Sequence, residues 1–289
     1  MIRIYAILLT GVIIASFSSI LIRWTGAVPF SIIAFYRLFI SSNVLALFKG
    51  LQQTRWPAIK GSYLLAGFFL ALHFITWIAS LQLTSIANSI FLESTHPLWA
   101  AFISSLFLKE IPSKKSFPAF LSAMVGMLII VSINFGLGET RFWGDMLAII
   151  SAICLSFYLL IARMYRGMDD IISYLIYVYT SAAFVCLIYG IFNGDSFFGF
   201  SKHSWLMIII LALGPHLFGH SLLNWSSRRI EIYKVNLVLL LEPILATIGG
   251  MIFFVEFPPL RFYAGALLIV FSVSFIVYTE SIKKDPIIY

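Results

Sequence analysis

"SIANSIFLESTHPLWAAFISSLFLKEIP", residues 85–112, and "EIYKVNLVLLLEPILATIGGMIFFVEFP", residues 231–258, are two copies of one pattern. At an offset of 146 residues Pro97 falls on Pro243, Glu110 on Glu256 and Pro112 on Pro258. Each copy is an apolar run interrupted at its centre. Glu93, Ser94, Thr95 and His96 precede Pro97 in the first, and Glu242 precedes Pro243 in the second. The next segments also match, "FPAFLSAMVG" (117–126) over "YAGALLIVFS" (263–272). At an offset of 140, Ser16-Phe17 falls on Ser156-Phe157 and Arg23 on Arg163.

The surrounding chain is as apolar as the repeat. Of 289 residues 61% are hydrophobic and 11% charged, and the mean hydropathy is +1.00. Ordinary soluble domains are about 45–50% apolar and about 25% charged. The class is therefore an all-α polytopic membrane protein. A crossing helix needs about 20 apolar residues, and ten stretches qualify: 4–22, 30–48, 61–81, 86–108, 117–135, 143–162, 171–192, 204–226, 232–255 and 262–279. Residues 4–22 read as the first span, because no convincing small-residue cleavage site follows. Cys154 and Cys186 lie inside apolar runs and imply no disulfide framework.

Fourteen Lys and Arg fall on one side of this arrangement and four (Arg23, Arg141, Lys202, Arg261) on the other. The positive-inside rule then puts both termini in the cytoplasm, with the chain in the cytoplasmic membrane. The net charge of +7 is scattered singly along the chain, so it encodes topology and not nucleic-acid binding. Residues 4–135 and 143–279 form two five-helix repeats, followed by a short cytoplasmic tail, 280–289. Five is odd, so the copies cross the membrane in opposite senses. Inverted repeats characterise alternating-access carriers, with the site near the midplane.

With these segments quoted, the chain resembles the drug/metabolite transporter superfamily, and within it the EamA-type carriers. Pro97, Pro243, Glu110, Glu256 and "HSLLNW" (220–225) carry the likeness. The resemblance implies ten helices around a central cavity, moving small organic solutes, often outward.

Ionisable groups inside a membrane are costly and mark solute paths. Arg37 and Glu93 each lie seven residues into spans that enter from outside, about 10 Å deep at about 1.5 Å per residue. Matched depth and opposite charge make them a candidate pair, either fixing two helices or anchoring a charged solute. His96 and Glu242 lie ten residues in from opposite faces, about 15 Å deep. They form a second candidate pair, suited to proton relay. Pro97 and Pro243 are expected to kink their helices. His216, His220 and Asn224 share a stripe at i, i+4 and i+8, and His73 and Trp77 are i, i+4. At an offset of 147 His73 falls on His220 and Trp77 on Asn224, so both sets are expected to flank one cavity.

The substrate expected from this lining is a small polar or zwitterionic organic solute, an amino acid or related metabolite, moved by alternating access with either coupling to protons or simple exchange. No cofactor is implied, and the absence of a "GxxxxGK[ST]" motif excludes direct use of ATP by that route. The alternative is a divalent-metal transporter using His216 and His220 with Glu93 and His96. An intramembrane enzyme has less to stand on, since "GxSxG" is absent. The ladder Ala119, Ala123, Gly126 fits close packing within the fold or between protomers of a homodimer. Asp145, Asp169 and Asp170, at span edges, are expected to be solvated, and Glu110 and Glu256 to cap or gate helix ends.

Overall fold

The computed structural model describes residues 1–53, 56–84, 86–131, 139–167, 170–255 and 257–281. Among them there is no β-strand. Lipid offers backbone N–H and C=O groups no partners, so a chain this apolar closes its hydrogen bonds within helices. Eight helical runs are long and apolar enough to cross a membrane: Ile2–Trp24, Phe30–Leu51, Gly61–Leu83, Phe142–Met164, Ile171–Asn193, Lys202–Ser227, Ile232–Phe254 and Leu260–Thr279. Of the other two apolar stretches, 86–108 is helical but broken, and 117–135 is helical over its described part, Phe117–Val131.

In chain order the elements are α1 (Ile2–Ala15) and α2 (Ser18–Trp24), which divide the first run at Ser16-Phe17, then α3 (Phe30–Leu51) and α4 (Gly61–Leu83). The stretch 86–108 is two helices, α5 (Ile86–Glu93) and α6 (His96–Phe107), and α7 spans Phe117–Val131. Then come α8 (Glu139–Met164), α9 (Ile171–Asn193) and α10 (Lys202–Leu211). A π-helical turn, Ala212–His220, with Pro215 inside it, joins α10 to α11 (Ser221–Ser227). Last are α12 (Ile232–Leu239), α13 (Leu241–Phe254) and α14 (Leu260–Ser281). Residues 282–289, most of the expected tail, and Glu256 and Asp169 lie outside the described residues.

The prolines act differently from a simple kink. The helix stops ahead of each proline, at Ser94-Thr95 in one copy and Leu240 in the other. The 146-residue offset sets Glu93, the end of α5, on Leu239, the end of α12. Pro97 has no N–H to offer the carbonyl one turn back. Side chains satisfy the neighbouring carbonyls instead: Ser94 Oγ donates to Ile90 O at 2.6 Å and Thr95 Oγ1 to Leu92 O at 2.7 Å.

The helices pack α3 on α9, α7 on α14, α4 on α8 and α9, α6 on α8 and α12, and α1 on the π turn and α11. Small residues permit the tightest of these contacts. A Cβ on Gly67 would lie 2.6 Å from Ser181 Cβ, across the α4–α9 seam. On the α7–α14 seam a Cβ on Gly126 would lie 2.6 Å from Gly265 O. Ala119 and Ala123 are buried there too, and Ser272 Oγ donates to Ala119 O at 2.5 Å. The small-residue ladder is thus consumed within one chain and gives no support to a homodimer.

Two aspartates expected to be solvated are bonded. Asp145 is buried and accepts from Thr84 Oγ1 at 2.7 Å, tying α8 to the end of α4. Asp170 is the N-cap of α9, accepting from Ser173 N–H at 2.9 Å and Ser173 Oγ at 2.6 Å, and it pairs with Lys49 Nζ at 3.3 Å. Partial burial pushes its pKa up, but the two Ser173 hydrogen bonds and Lys49 outweigh burial and hold the carboxyl below its usual range.

Gly126→Leu is expected to wedge α7 from α14 and cost about 1–3 kcal/mol. A fall in the thermal unfolding midpoint of detergent-solubilised protein checks this; an unchanged midpoint removes the seam from the account. Because the folded-state pKa of Asp170 is depressed, its contribution is complete above the unfolded carboxylate pKa and lost as pH falls through the folded one. Asp170→Asn is expected to flatten that acid limb in a pH series of unfolding midpoints.

Candidate functional site

The interior polar groups gather around one aromatic ring. Phe74 lies on α4, next to His73 and one turn before Trp77. The guanidinium carbon of Arg37, from α3, sits 4.0 Å above its centroid. His216 and His220 approach the same ring at centroid distances of 5.5 and 5.3 Å and stand 5.1 Å from each other. Tyr179 of α9 packs on His216 at 4.4 Å. An arginine over an aromatic face is attracted by the ring quadrupole, and more strongly where water is excluded.

Arg37 is fully buried, and none of its three guanidinium nitrogens has a hydrogen-bond partner among the described residues. The same holds for Trp77 Nε1, both ring nitrogens of His216, His220 Nδ1 and Asn224 Oδ1. An orphaned buried polar atom costs about 1–3 kcal/mol, more when charged. Several such atoms on α3, α4, the π turn and α11 form an unsatisfied surface of donors and acceptors. Asn224 itself is held by its Nδ2, which donates to Tyr158 Oη and, at 3.0 Å, to His220 O. Tyr179 Oη lies 3.2 Å from Ser221 Oγ.

His73 points to the other side of α4. Its Nδ1 lies 2.8 Å from Ser151 Oγ and 3.2 Å from Ser151 O, while Ser151 Oγ donates to His73 O at 3.1 Å. His73 and Trp77 rings are parallel, 6.3 Å apart. His96, first residue of α6, is fixed too: its Nδ1–H donates to Asn236 Oδ1 at 2.7 Å, and Asn236 Nδ2 donates to Ile232 O at 2.9 Å.

Neither expected pair is made. Arg37 contacts Phe74 and does not bond Glu93; His96 bonds Asn236 and not Glu242. Depth along two helices sets a height but not which faces meet, and that is where the pairings fail. No carboxylate among the described residues bonds Arg37, and Glu242 is the acid near enough to act on it through space. The charge of Arg37 in turn reaches His73, His216 and His220. Glu93 and Glu242 end and begin their helices at the two interruptions, and both are partly accessible.

The described residues hold no group of three His, Cys, Asp or Glu side chains able to ligate one metal ion. The set His216, His220, Glu93 and His96 therefore fails as a donor cluster. His96 is committed to Asn236, and the two histidines of the π turn face Phe74 and Tyr179. An open apolar groove between α1 and α14, lined by Leu9, Leu241 and Val270, contains none of these polar groups.

Phe74, Tyr158, Tyr179 and Ser151 carry no sequence signal. The chain has 28 Phe and 13 Tyr, and only packing distinguishes these from the rest. The π turn had a signal in Gly214-Pro215 inside an apolar run. Such turns recur at functional sites, and here it presents His216 and His220 side by side.

Comparison with known proteins follows the same lines. The sequence matches the model of the EamA-like transporter family over residues 2–132 and 142–278. A Bacillus subtilis (strain 168) relative described as the uncharacterized transporter YdfC is 26% identical over 249 residues, covering 84% of this chain and 80% of its own. One crystal structure of a protein superposes with a TM-score of 0.81 over 98% of this chain and 99% of that chain. At 15% identity that likeness concerns the fold alone.

Proposed function

We infer the function from one premise: the chain belongs to the EamA-like transporter family and is a multi-pass membrane transporter. The reading the site supports best is a secondary carrier for a small polar or zwitterionic organic solute bearing a carboxylate, an amino acid or related metabolite, moved outward across the cytoplasmic membrane. The observation that carries it is the buried, unpartnered guanidinium of Arg37 lying on Phe74. A planar guanidinium grips a carboxylate through two parallel hydrogen bonds. Trp77, His216, His220 and Asn224 offer the remaining polar contacts, and Glu93 suits a solute's ammonium group.

The transport cycle proposed is alternating access between two inverted five-helix repeats, 4–135 and 143–279, with α5–α6 and α7 as the two crossings beyond the eight long helices. The packing supports this. Exchanging each span for its counterpart five spans on turns the contact of α4 with α8 into that of α1 with the π turn and α11, and both exist. The same exchange turns α6 on α8 into α13 on α1, also present. Reciprocal contacts of this kind are what two related halves facing each other produce. The 14-to-4 charge asymmetry supports cytoplasmic termini.

For coupling, Glu242 takes the role first sought in a His96–Glu242 relay. His96 is held by Asn236, whereas Glu242 shares the field of Arg37. A solute carboxylate arriving at Arg37 replaces Glu242 as its counter-charge and leaves Glu242 to bind a proton.

Purified protein in proteoliposomes, given an amino-acid and metabolite panel selected by thermal shift, is expected to show saturable counterflow. Arg37→Gln is expected to lower flux of a carboxylate-bearing solute about ten-fold or more, since hydrogen bonds to charged groups are worth about 1.5–3 kcal/mol. Wild-type flux in that variant sinks the anchor role. Glu242→Gln is expected to transport without responding to an imposed proton gradient. A variant as gradient-sensitive as the parent moves the coupling elsewhere.

A further inference from the structure

We propose that Glu110 and Arg163 form a gate that seals one mouth of the solute path, and that each transport cycle separates them. This rests on the carrier reading above. Glu110 Oε1 accepts from both Arg163 Nε, at 2.9 Å, and Arg163 Nη2, at 2.8 Å. Its other oxygen, Oε2, accepts from the backbone N–H of Ile232 at 3.4 Å. One carboxylate therefore holds three elements at one membrane face: the end of α6, the last turn of α8 and the first residue of α12.

The clasp is rigid on the α6 side. Ser104 Oγ donates to Glu110 O at 3.1 Å, and Glu110 N–H donates to Ser104 O at 3.2 Å. Any tilt of α6 thus carries Glu110 with it. The pair is largely withdrawn from solvent, with Arg163 at 8% and Glu110 at 18% side-chain exposure. Charge-assisted bonds to a shared oxygen in such surroundings are strong and directional. Arg163 keeps one nitrogen, Nη1, unpartnered, so its guanidinium is not saturated in the closed arrangement.

What makes this a gate and not merely a staple is where the clasped helices lead. α6 begins at His96, beside the Ser94-Thr95 interruption, and α12 ends at Leu239, beside the Leu240 interruption ahead of Glu242. α12 packs on α6, on α8 and on α11, the helix that carries Asn224. Parting α6 from α8 and α12 at this end opens a way from the cluster to that face. The interruptions let the outer halves move while α5 and α13 stay in place. α6 and α12 come from the first and second repeat, so the clasp joins the two bodies whose relative motion alternating access requires.

Native Cys186 provides the readout. It is buried on α9, two turns along from the Tyr179 that packs on His216. In a Cys154→Ser background, a charged, membrane-impermeant methanethiosulfonate is applied to right-side-out and to inside-out vesicles. Glu110→Gln is expected to raise the labelling rate of Cys186 about ten-fold from one face only, the face that carries Glu110. The double exchange Glu110→Arg with Arg163→Glu is expected to bring it back toward the parent rate. Arg163→Gln keeps the Ser104 ties and gives the same one-sided rise, serving in place of Glu110→Gln if that variant does not fold. An unchanged rate from both faces overturns the proposal, and so does an equal rise from both, which marks general loosening. The readout needs no transported solute. A chain that labels one-sidedly yet moves no amino acid keeps the gate and loses the substrate assignment.

Discussion

Inside lipid, a polar atom has only the protein to bond, and this single constraint organises the molecule. It forces helix wherever backbone crosses apolar surroundings. It also sets ionic and imidazole side chains within the spans against other helices, Arg37 on Phe74, His73 on Ser151 and His96 on Asn236. At the Pro97 break the rule can be followed group by group, as the Ser94 and Thr95 hydroxyls take up the carbonyls of Ile90 and Leu92. The run "ESTH" is thus divided in its tasks: Glu93 ends α5, Ser94 and Thr95 finish that helix end, and His96 binds α12 through Asn236.

The same constraint gives the Phe74 cluster its meaning. Most buried polar groups here are satisfied, often by a carbonyl three or four residues back on the same helix, as with Ser80, Ser104 and Ser227. Arg37, Trp77, His216, His220 and Asn224 are among the exceptions, with Ser18, Arg163, Tyr174 and Ser226, and three of them, Arg37, His216 and His220, share the Phe74 ring. The three that meet at Phe74, centred on a guanidinium held by an aromatic face, form a contiguous patch of polar atoms with no partner among the described residues. The π turn contributes by displacing two histidines toward Phe74 that a regular helix would place differently.

Two kinds of contact then divide the work of the fold. Seams of small residues, such as Gly126 with Gly265 and Gly67 with Ser181, bring backbones too close to slide apart and keep α7 with α14 and α4 with α9. The contacts between the broken helices are of another kind, a few directional bonds, Glu110 with Arg163 and Ile232, and His96 with Asn236. Directional bonds between otherwise apolar surfaces can be exchanged, whereas interlocked backbones cannot. A carrier needs both, in these places.

Hydrophobic periodicity and length fix helix positions, because the lipid constraint acts on each segment alone. The helical runs therefore lie within a few residues of the stretches read from the chain, and the polytopic class and transporter family were legible in composition and in the paired Pro97 and Pro243 segments. Depth within a span follows from counting residues along each helix. Partners were not legible. Arg37 meets Phe74 and the field of Glu242 instead of bonding Glu93, and His96 meets Asn236 instead of Glu242. Which faces turn toward each other depends on helix rotation, on the π turn and on close approaches at Gly67 and Gly126. Those are set by packing among segments distant in sequence, and only the assembled bundle decides them.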